Sequence, residues 1–327
     1  MLMASIGSNA QLGIGEETVW ASGTIAISKF IPFNSESITK SKEIQFTEAI
    51  RGSTARSIWR TGKTTVGGDI GLEVIPDSAG IFTIIKHALG RNVTAGPSGS
   101  GYYTHRIMCS GVLPEGLRVE VERDAAAFTY SGMKVNQMTL ECRVGEPLTA
   151  TFSMLGSDES TGDSPTTATS ISSLNPLTYD EGSLYVDGSA TATEISGFTL
   201  TVNNNLKEDK MSLGSASRVA IPRSGFRDVT GSLNAEFDNL LNYNRFINGT
   251  ETSLKLSFVS DNEAADGTDH QLDIYLPRVV FTGNTPTVTG PDLIYHDLPF
   301  LGLYSTNGGY DEKDEVRMIL TSNIVSI

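Results

Sequence analysis

Metal or nucleophilic chemistry in this chain would have to be built from four histidines, two cysteines and one cluster of carboxylates. His87, His105, His270 and His296 stand singly, without the short paired spacings of a zinc site. Asp261, Glu263, Asp266 and Asp269 gather around a turn, but they lack the alternating oxygen ligands and closing glutamate of an EF-hand, so a solvated turn is expected. Cys109 and Cys142 fall in strand-like segments and read as buried free thiols of a reducing compartment. The glycine- and serine-rich stretch 93–101 holds no G-x-S-x-G elbow. Phosphate loop, dinucleotide fingerprint and catalytic triad are all missing, so the sequence points to no enzyme, no cofactor and no metal site.

Charge is more informative. The chain carries 24 basic and 38 acidic side chains, a net charge of −14, which disfavours a protein that grips nucleic acid by its phosphates. Two windows run against this balance. Lys40, Lys42, Arg51, Arg56, Arg60 and Lys63 face only Glu43 and Glu48, a local +4. Lys207, Lys210, Arg218, Arg223 and Arg227 face Glu208, Asp209 and Asp228, a local +2, which leaves the remainder at −20.

The two windows occupy the same place in an internal repeat. At a constant offset of 163, Gly62, Val66, Gly68, Ile70, Glu73 and Ile84 meet Gly225, Val229, Gly231, Leu233, Glu236 and Ile247. Upstream the offset is 162: Ile38, Thr39, Ile44, Gly52 and Arg56 meet Leu200, Thr201, Leu206, Gly214 and Arg218. A second echo sets Phe128, Tyr130 and Val135 on Leu272, Ile274 and Val279, then Gly145, Leu148, Leu155 and Gly156 on Gly290, Leu293, Leu301 and Gly302. A length of 327 residues suits two domains, each with its own core.

Strict alternation in 69–74, with Ile70, Leu72 and Val74 on one side, marks a half-buried strand, and further alternating runs follow in both halves. Asp77 or Ser78 is placed to cap a short helix bearing Ile81, Phe82, Ile85, Ala88 and Leu89, which Gly90 stops; His87 is expected at its surface. Asp238 opens the counterpart, with Leu240, Leu241, Tyr243 and Ile247 for its buried side and Gly249 as its stop. The expected fold is mainly β, two tandem antiparallel β-sandwich or barrel domains with one short flanking helix each. Boundaries are expected at 1–30 for an extended arm, 31–156 for the first domain, 157–182 for a Ser/Thr-rich linker and 183–327 for the second domain. No apolar run approaches the ~20 residues that cross a bilayer, and no secretory signal is evident at the start.

Three blocks carry a family resemblance: GIGEETVWASGTIAISKFIPFNSESI at 13–38, RGSTARSIWRTGKTTVGGDIGLEV at 51–74 with its helix ending HALG, and SGMKVNQMTLECRVGEPLTATFSMLG at 131–156. In this order they resemble the tail tube proteins of long-tailed bacteriophages. The resemblance implies β-sandwich domains whose strands join between subunits into a barrel around a channel. Six such domains make a ring, and rings stack into a tube through which DNA passes without specific binding. Two domains per chain then imply a homotrimeric, pseudo-hexameric ring, or a homohexamer if the second domain decorates the outside. The family's long inter-ring loop falls on Ile44–Lys63 and Leu206–Arg227, which makes Arg51, Arg56, Arg60, Lys63, Lys207, Lys210, Arg218, Arg223 and Arg227 the expected contacts with acidic surface of the adjacent ring. Implied partners are the chain itself and the tape measure, tail terminator and distal tail proteins; the implied location is the virion tail, assembled in the host cytoplasm and without a membrane. A double β-sandwich adhesion module or a secretion-system tube relative would show the same alternation.

Overall fold

A computed structural model describes residues 6–98, 101–162, 164–169, 171–190, 195–265, 267–283, 285–288, 290–291, 293–305 and 314–327. The fold is mainly β and antiparallel. In chain order the first half holds β1 (Gln11–Glu17), β2 (Lys29–Phe30), β3 (Ser35–Glu36), β4 (Thr39–Phe46), β5 (Trp59–Glu73), α1 (Ala79–Leu89), β6 (Gly90–Ala95), β7 (Tyr103–Cys109), β8 (Gly116–Glu122), β9 (Ala127–Arg143), β10 (Thr149–Gly156) and β11 (Asp158–Thr161). The second holds β12 (Gly182–Val186), β13 (Ser189–Ala190), β14 (Ile195–Asn203), β15 (Asp228–Glu236), α2 (Leu241–Asn248), β16 (Thr252–Ala265), β17 (Thr268–Phe281), β18 (Tyr295–Gly302) and β19 (Arg317–Ser322).

Each half is a two-layer sandwich. In the first, β2–β1–β8–β9–β11 form one layer and β4–β5–β10–β9 the other, with β9 long enough to serve both. In the second, β13–β12–β16–β17–β19 and β14–β15–β18–β17 repeat the two layers. The repeat is a repeat of hydrogen-bond register. Val66 pairs with Gly156 and Glu73 with Thr149; Val229 pairs with Gly302 and Glu236 with Tyr295, so the offsets of 163 on one strand and 146 on its partner hold at both ends. Thr39 against Gly67 becomes Thr201 against Thr230, as the offset of 162 requires. A Cβ at Gly68 would strike the Ser37 carbonyl, and one at Gly231 the carbonyl of Thr199, the residue equivalent to Ser37.

The second sequence echo is in register at Leu155/Leu301 and Gly156/Gly302, but its β9 part, Phe128, Tyr130 and Val135, lands two residues away from its true register. Val121 pairs with Phe128 and Val119 with Tyr130, whereas Leu256 pairs with Ile274 and Leu254 with Leu276. Phe128 and Tyr130 therefore correspond to Ile274 and Leu276, at an offset of 146 rather than 144. A β-bulge confirms the match, because one strand steps three residues against two at Leu117/Val119 and again at Thr252/Leu254. Alternating strands align with themselves when slipped by two, since the buried side is unchanged; only the partner strand resolves the slip.

Residues 1–30 were expected as an extended arm, yet 11–17 are a strand packed between β2 and β8, with Leu12 and Ile14 in the core. The glycines that suggested looseness allow the chain to cross itself closely: a Cβ at Gly13 would strike Ile27 and one at Gly15 the Ala26 carbonyl. The expected linker 157–182 is a strap on the first copy. It supplies β11 and buries Leu177, whose N–H donates to Val74 O and whose carbonyl accepts from Leu148 N.

α1 is buried nearly all round and ends at Gly90. His87, expected at the surface, is 3% exposed and lies 3.0 Å from Glu16 through Nε2. Lys86 Nζ at 2.5 Å and Lys29 Nζ at 3.6 Å complete the cluster around that carboxylate, so one acid ties β1, β2 and α1 together. Partial burial pushes the Glu16 carboxyl up, but the hydrogen bonds from His87 and Lys86 and the two ammonium charges outweigh it and hold it far below the usual range. Burial pushes His87 down, against the pull of Glu16. Both shifts have the same consequence for stability. A buried neutral histidine costs stability as pH falls below its unfolded value of about 6.5, and the depressed Glu16 withdraws its contribution as pH falls below about 4.5, where the unfolded chain binds more protons. Denaturant titrations from pH 8 to pH 3 should show stability falling in these two stages, and Glu16→Gln should flatten the lower one.

Candidate assembly interface

Strand edges carry unpaired N–H and C=O groups that bind whatever edge is offered to them. One such junction is already made within the chain. The second half of β9 pairs with β14 over seven residues, from Gln137 against Asn203 to Arg143 against Gly197. A second seam joins β19 to β7 over six, from Arg317 against Met108 to Ser322 against Tyr103. The β6–β7 hairpin belongs to the first copy alone, since only Gly249–Glu251 separate α2 from β16. Across these seams one hydrophobic cluster runs from Leu12 to Ile327.

The loop between β14 and β15, the second basic window, locks this junction. Arg218 is 6% exposed and donates to Val66 O at 2.5 Å, Gly156 O at 2.8 Å and Glu208 O at 2.6 Å. Burial pulls its guanidinium below the ordinary value, with Glu208 opposing. Leu206 and Ile221 of the same loop close over Leu155. Arg227 donates to Leu89 O, the end of α1, and to Ser110 O, and lies 3.2 Å from Glu315; Arg223 reaches Gly111 O at 3.3 Å. Between them sits Asn204, fully buried, whose amide donates to Ala88 O and Val135 O while its carbonyl accepts from both arginines. Sequence reasoning missed Asn204; its only signal is the run Asn203-Asn204-Asn205 at a strand end.

The nine expected contact residues thus divide. Arg218, Arg223 and Arg227 are brought together on the first copy, within the chain. Arg51, Arg56, Arg60 and Lys63 lie exposed on the arm formed by β4, β5 and the loop between them, and Lys207 and Lys210 are exposed as well. The arm is a two-stranded ladder as far as Phe46 against Trp59, with its tip in solvent.

The layer that crosses the junction has two unlike faces. One buries Ile70, Phe152, Leu140, Leu200 and Leu233. The other carries a threonine ladder, Thr151 beside Thr139 beside Thr201 beside Thr230, with the Thr139 and Thr201 hydroxyls 3.2 Å apart. On either side of it run Glu73, Thr149, Glu141, Thr199 and Ser232, and Asp69, Ser153, Gln137, Asn203 and Asp228. Side chains there are short, hydroxylated or acidic. Its cation, Arg143, is paired with Glu141 at 2.8 Å. Among the described residues the outer edge of β4 has no partner strand, and α2 with its N-cap leaves Leu240, Leu241 and Ile247 56–57% exposed instead of buried as expected.

A family model described as phage tail tube protein matches residues 7–302. The chain belongs to the phage tail tube protein family. No curated protein matches it. As a tail tube protein it is a structural component of the virion tail, from a generally non-enzymatic family that assembles with itself and with other tail proteins. His105 and the two cysteines have structural surroundings. His105 lies between Thr94 Oγ1 and Ile324 O, and burial pushes the Cys109 thiol up to about 12 and that of Cys142 up to about 11, well out of the reactive range. Among the described residues no group of three or more metal-ligating side chains occurs, and no helix is long and apolar enough to cross a membrane. In this tail tube protein Arg218→Ala should lower unfolding stability by about 3 kcal/mol, because buried carbonyls at the end of β5 and β10 lose a charged donor. The same change at exposed Arg51 should leave it within about 0.5 kcal/mol; chemical denaturation measures both.

Proposed function

We propose that three chains close into a ring of six tandem copies, that rings stack into the tail tube, and that the tube is the non-catalytic conduit for genome delivery. Tube assembly then takes place in the host cytoplasm, in company with the tape measure, tail terminator and distal tail proteins. The observation that carries this reading is the polar face of the layer that runs unbroken through both copies. Each copy contributes four strands to that layer, so a chain contributes eight. Three chains would close 24 strands, a wall about 37 Å or more across at strand spacings near 4.8 Å, wide enough for a DNA duplex.

The threonine ladder and its acidic flanks form the inner surface in this reading. Duplex DNA gains little from such a wall, because a surface without free cations releases no counterions from the phosphates. DNA would therefore slide without sticking. Of the nine basic loop residues, Arg51, Arg60, Lys63, Lys207 and Lys210 point to the adjacent ring in this assignment, Arg218, Arg223 and Arg227 hold the chain's own copies together, and Arg56, the ninth, lies on the same exposed arm as the first three.

Two outcomes test the reading. The repeat converts the Thr139–Thr201 pair into Thr285 of one chain and Thr39 of the next. Oxidised T39C/T285C assemblies should give a covalent ladder that stops at three chains; a ladder running to six, or none, contradicts the ring. Thr151→Lys tubes should retain DNA at low salt and release it at high salt. Unmodified tubes that retain DNA equally would contradict the wall assignment.

A further inference from the structure

We infer that the arm between β4 and β5 clasps the second copy of a neighbouring chain, with the Arg56 guanidinium seated on the carbonyls of Val229 and Gly302. The inference rests on the ring reading only in setting the first copy of one chain beside the second copy of the next. Its template is the clasp inside the chain, where Arg218 binds the carbonyls of Val66 and Gly156.

The two loops share one motif at an offset of 162: Gly52-Ser53-Thr54-Ala55-Arg56 and Gly214-Ser215-Ala216-Ser217-Arg218. Both glycines adopt left-handed backbone, at φ 68° and 89°, so the turn before each arginine begins alike. Both loops carry flanking apolar anchors. Leu206 and Ile221 are 5% and 3% exposed against Leu155, whereas their counterparts Ile44 and Trp59 are 57% and 61% exposed. Arg56 has only Glu48 at 3.4 Å and the Phe46 ring beside it, all in solvent.

The receiving side is equally incomplete. Val229 and Gly302 are a register pair, as Val66 and Gly156 are. Leu301, the counterpart of Leu155, is 43% exposed where Leu155 is 9%. Beside it opens a groove of about 650 Å³ lined by Asp228, Val229, Leu301, Gly302, Tyr304 and Glu315 among others. Of the groove's two carboxylates, Asp228 suits an arriving guanidinium, while Glu315 is already paired with Arg227. The groove also predicts a backbone contact: Thr64 N donates to Ala216 O at 2.8 Å within the chain, so Arg227 N should donate to Thr54 O between chains. Arg218, Leu206, Ile221 and Leu155 of the inner clasp therefore have exposed counterparts, Arg56, Ile44 and Trp59 on the arm and Leu301 on the second copy. A solvent-exposed apolar arm facing an unfilled groove of matching chemistry is what a self-complementary subunit presents before assembly.

Arg56→p-benzoylphenylalanine, irradiated in assembled rings and mapped by mass spectrometry, tests this. Attachment of position 56 to the Val229 or Leu301–Tyr304 region of another chain is expected; attachment elsewhere, or none, overturns it. Arg56→Ala should raise the concentration needed for ring formation at least about tenfold, with the unfolding curve of the single chain unchanged. Rings that form as readily from Arg56→Ala also overturn the clasp. The T39C/T285C ladder separates the two failures: with the ladder intact only the clasp falls, and without it the ring reading falls too.

Discussion

A β-strand edge cannot be left bare at low cost, because each of its backbone groups seeks a partner and another strand supplies all of them at once. The whole chain is arranged around that requirement. β9 reaches past its own sandwich and offers its second half to β14, so the edge that one copy exposes is the edge that the next one needs. Copies joined this way inherit a direction; β17, the counterpart of β9, stops at Phe281 in the single chain, short of the stretch equivalent to the pairing half of β9. In the proposed ring, assembly is a continuation of folding, with the pairing made within one chain made again between chains.

Joining two copies in one chain also let them diverge. The first copy carries the β6–β7 hairpin, which adds a second seam to the inner junction and has no counterpart in the second copy. Its arm stayed open while the equivalent loop of the second copy closed down around Arg218. The inner junction is consequently doubly stitched. In the proposed ring the lateral contacts between chains would rest on fewer strands, and so more heavily on side chains such as Arg56.

Much of this was legible in the sequence, and where it was not the reason is physical. Offsets of 162 and 163 could be read because glycines at tight crossings and arginines in loops are poor substitutes for one another, so a slip shows at once. The β9 echo slipped by two because a strand of alternating apolar residues is nearly its own image at that shift. Gly13 and Gly15 looked like slack and are close packing. His87 looked like a helix surface because periodicity describes one buried side, and α1 is enclosed on every side. Conversely the apolar residues of α2 were read as core, and they are uncovered in the single chain. Arg218 is the sharpest case: its charge suggested solvent, while its partners are backbone carbonyls that no side-chain pattern reveals. The threonines of the polar face sit in alternating runs, but their continuity across two copies exists only in the register.

An image reconstruction of the assembled tube, at a resolution that traces strands, bears most directly on this continuity. It should find three chains per ring, β4 of each paired with the second copy of its neighbour, and Thr151, Thr139, Thr201 and Thr230 facing the central hole. Rings of six chains, or a threonine face turned outward, would contradict the account.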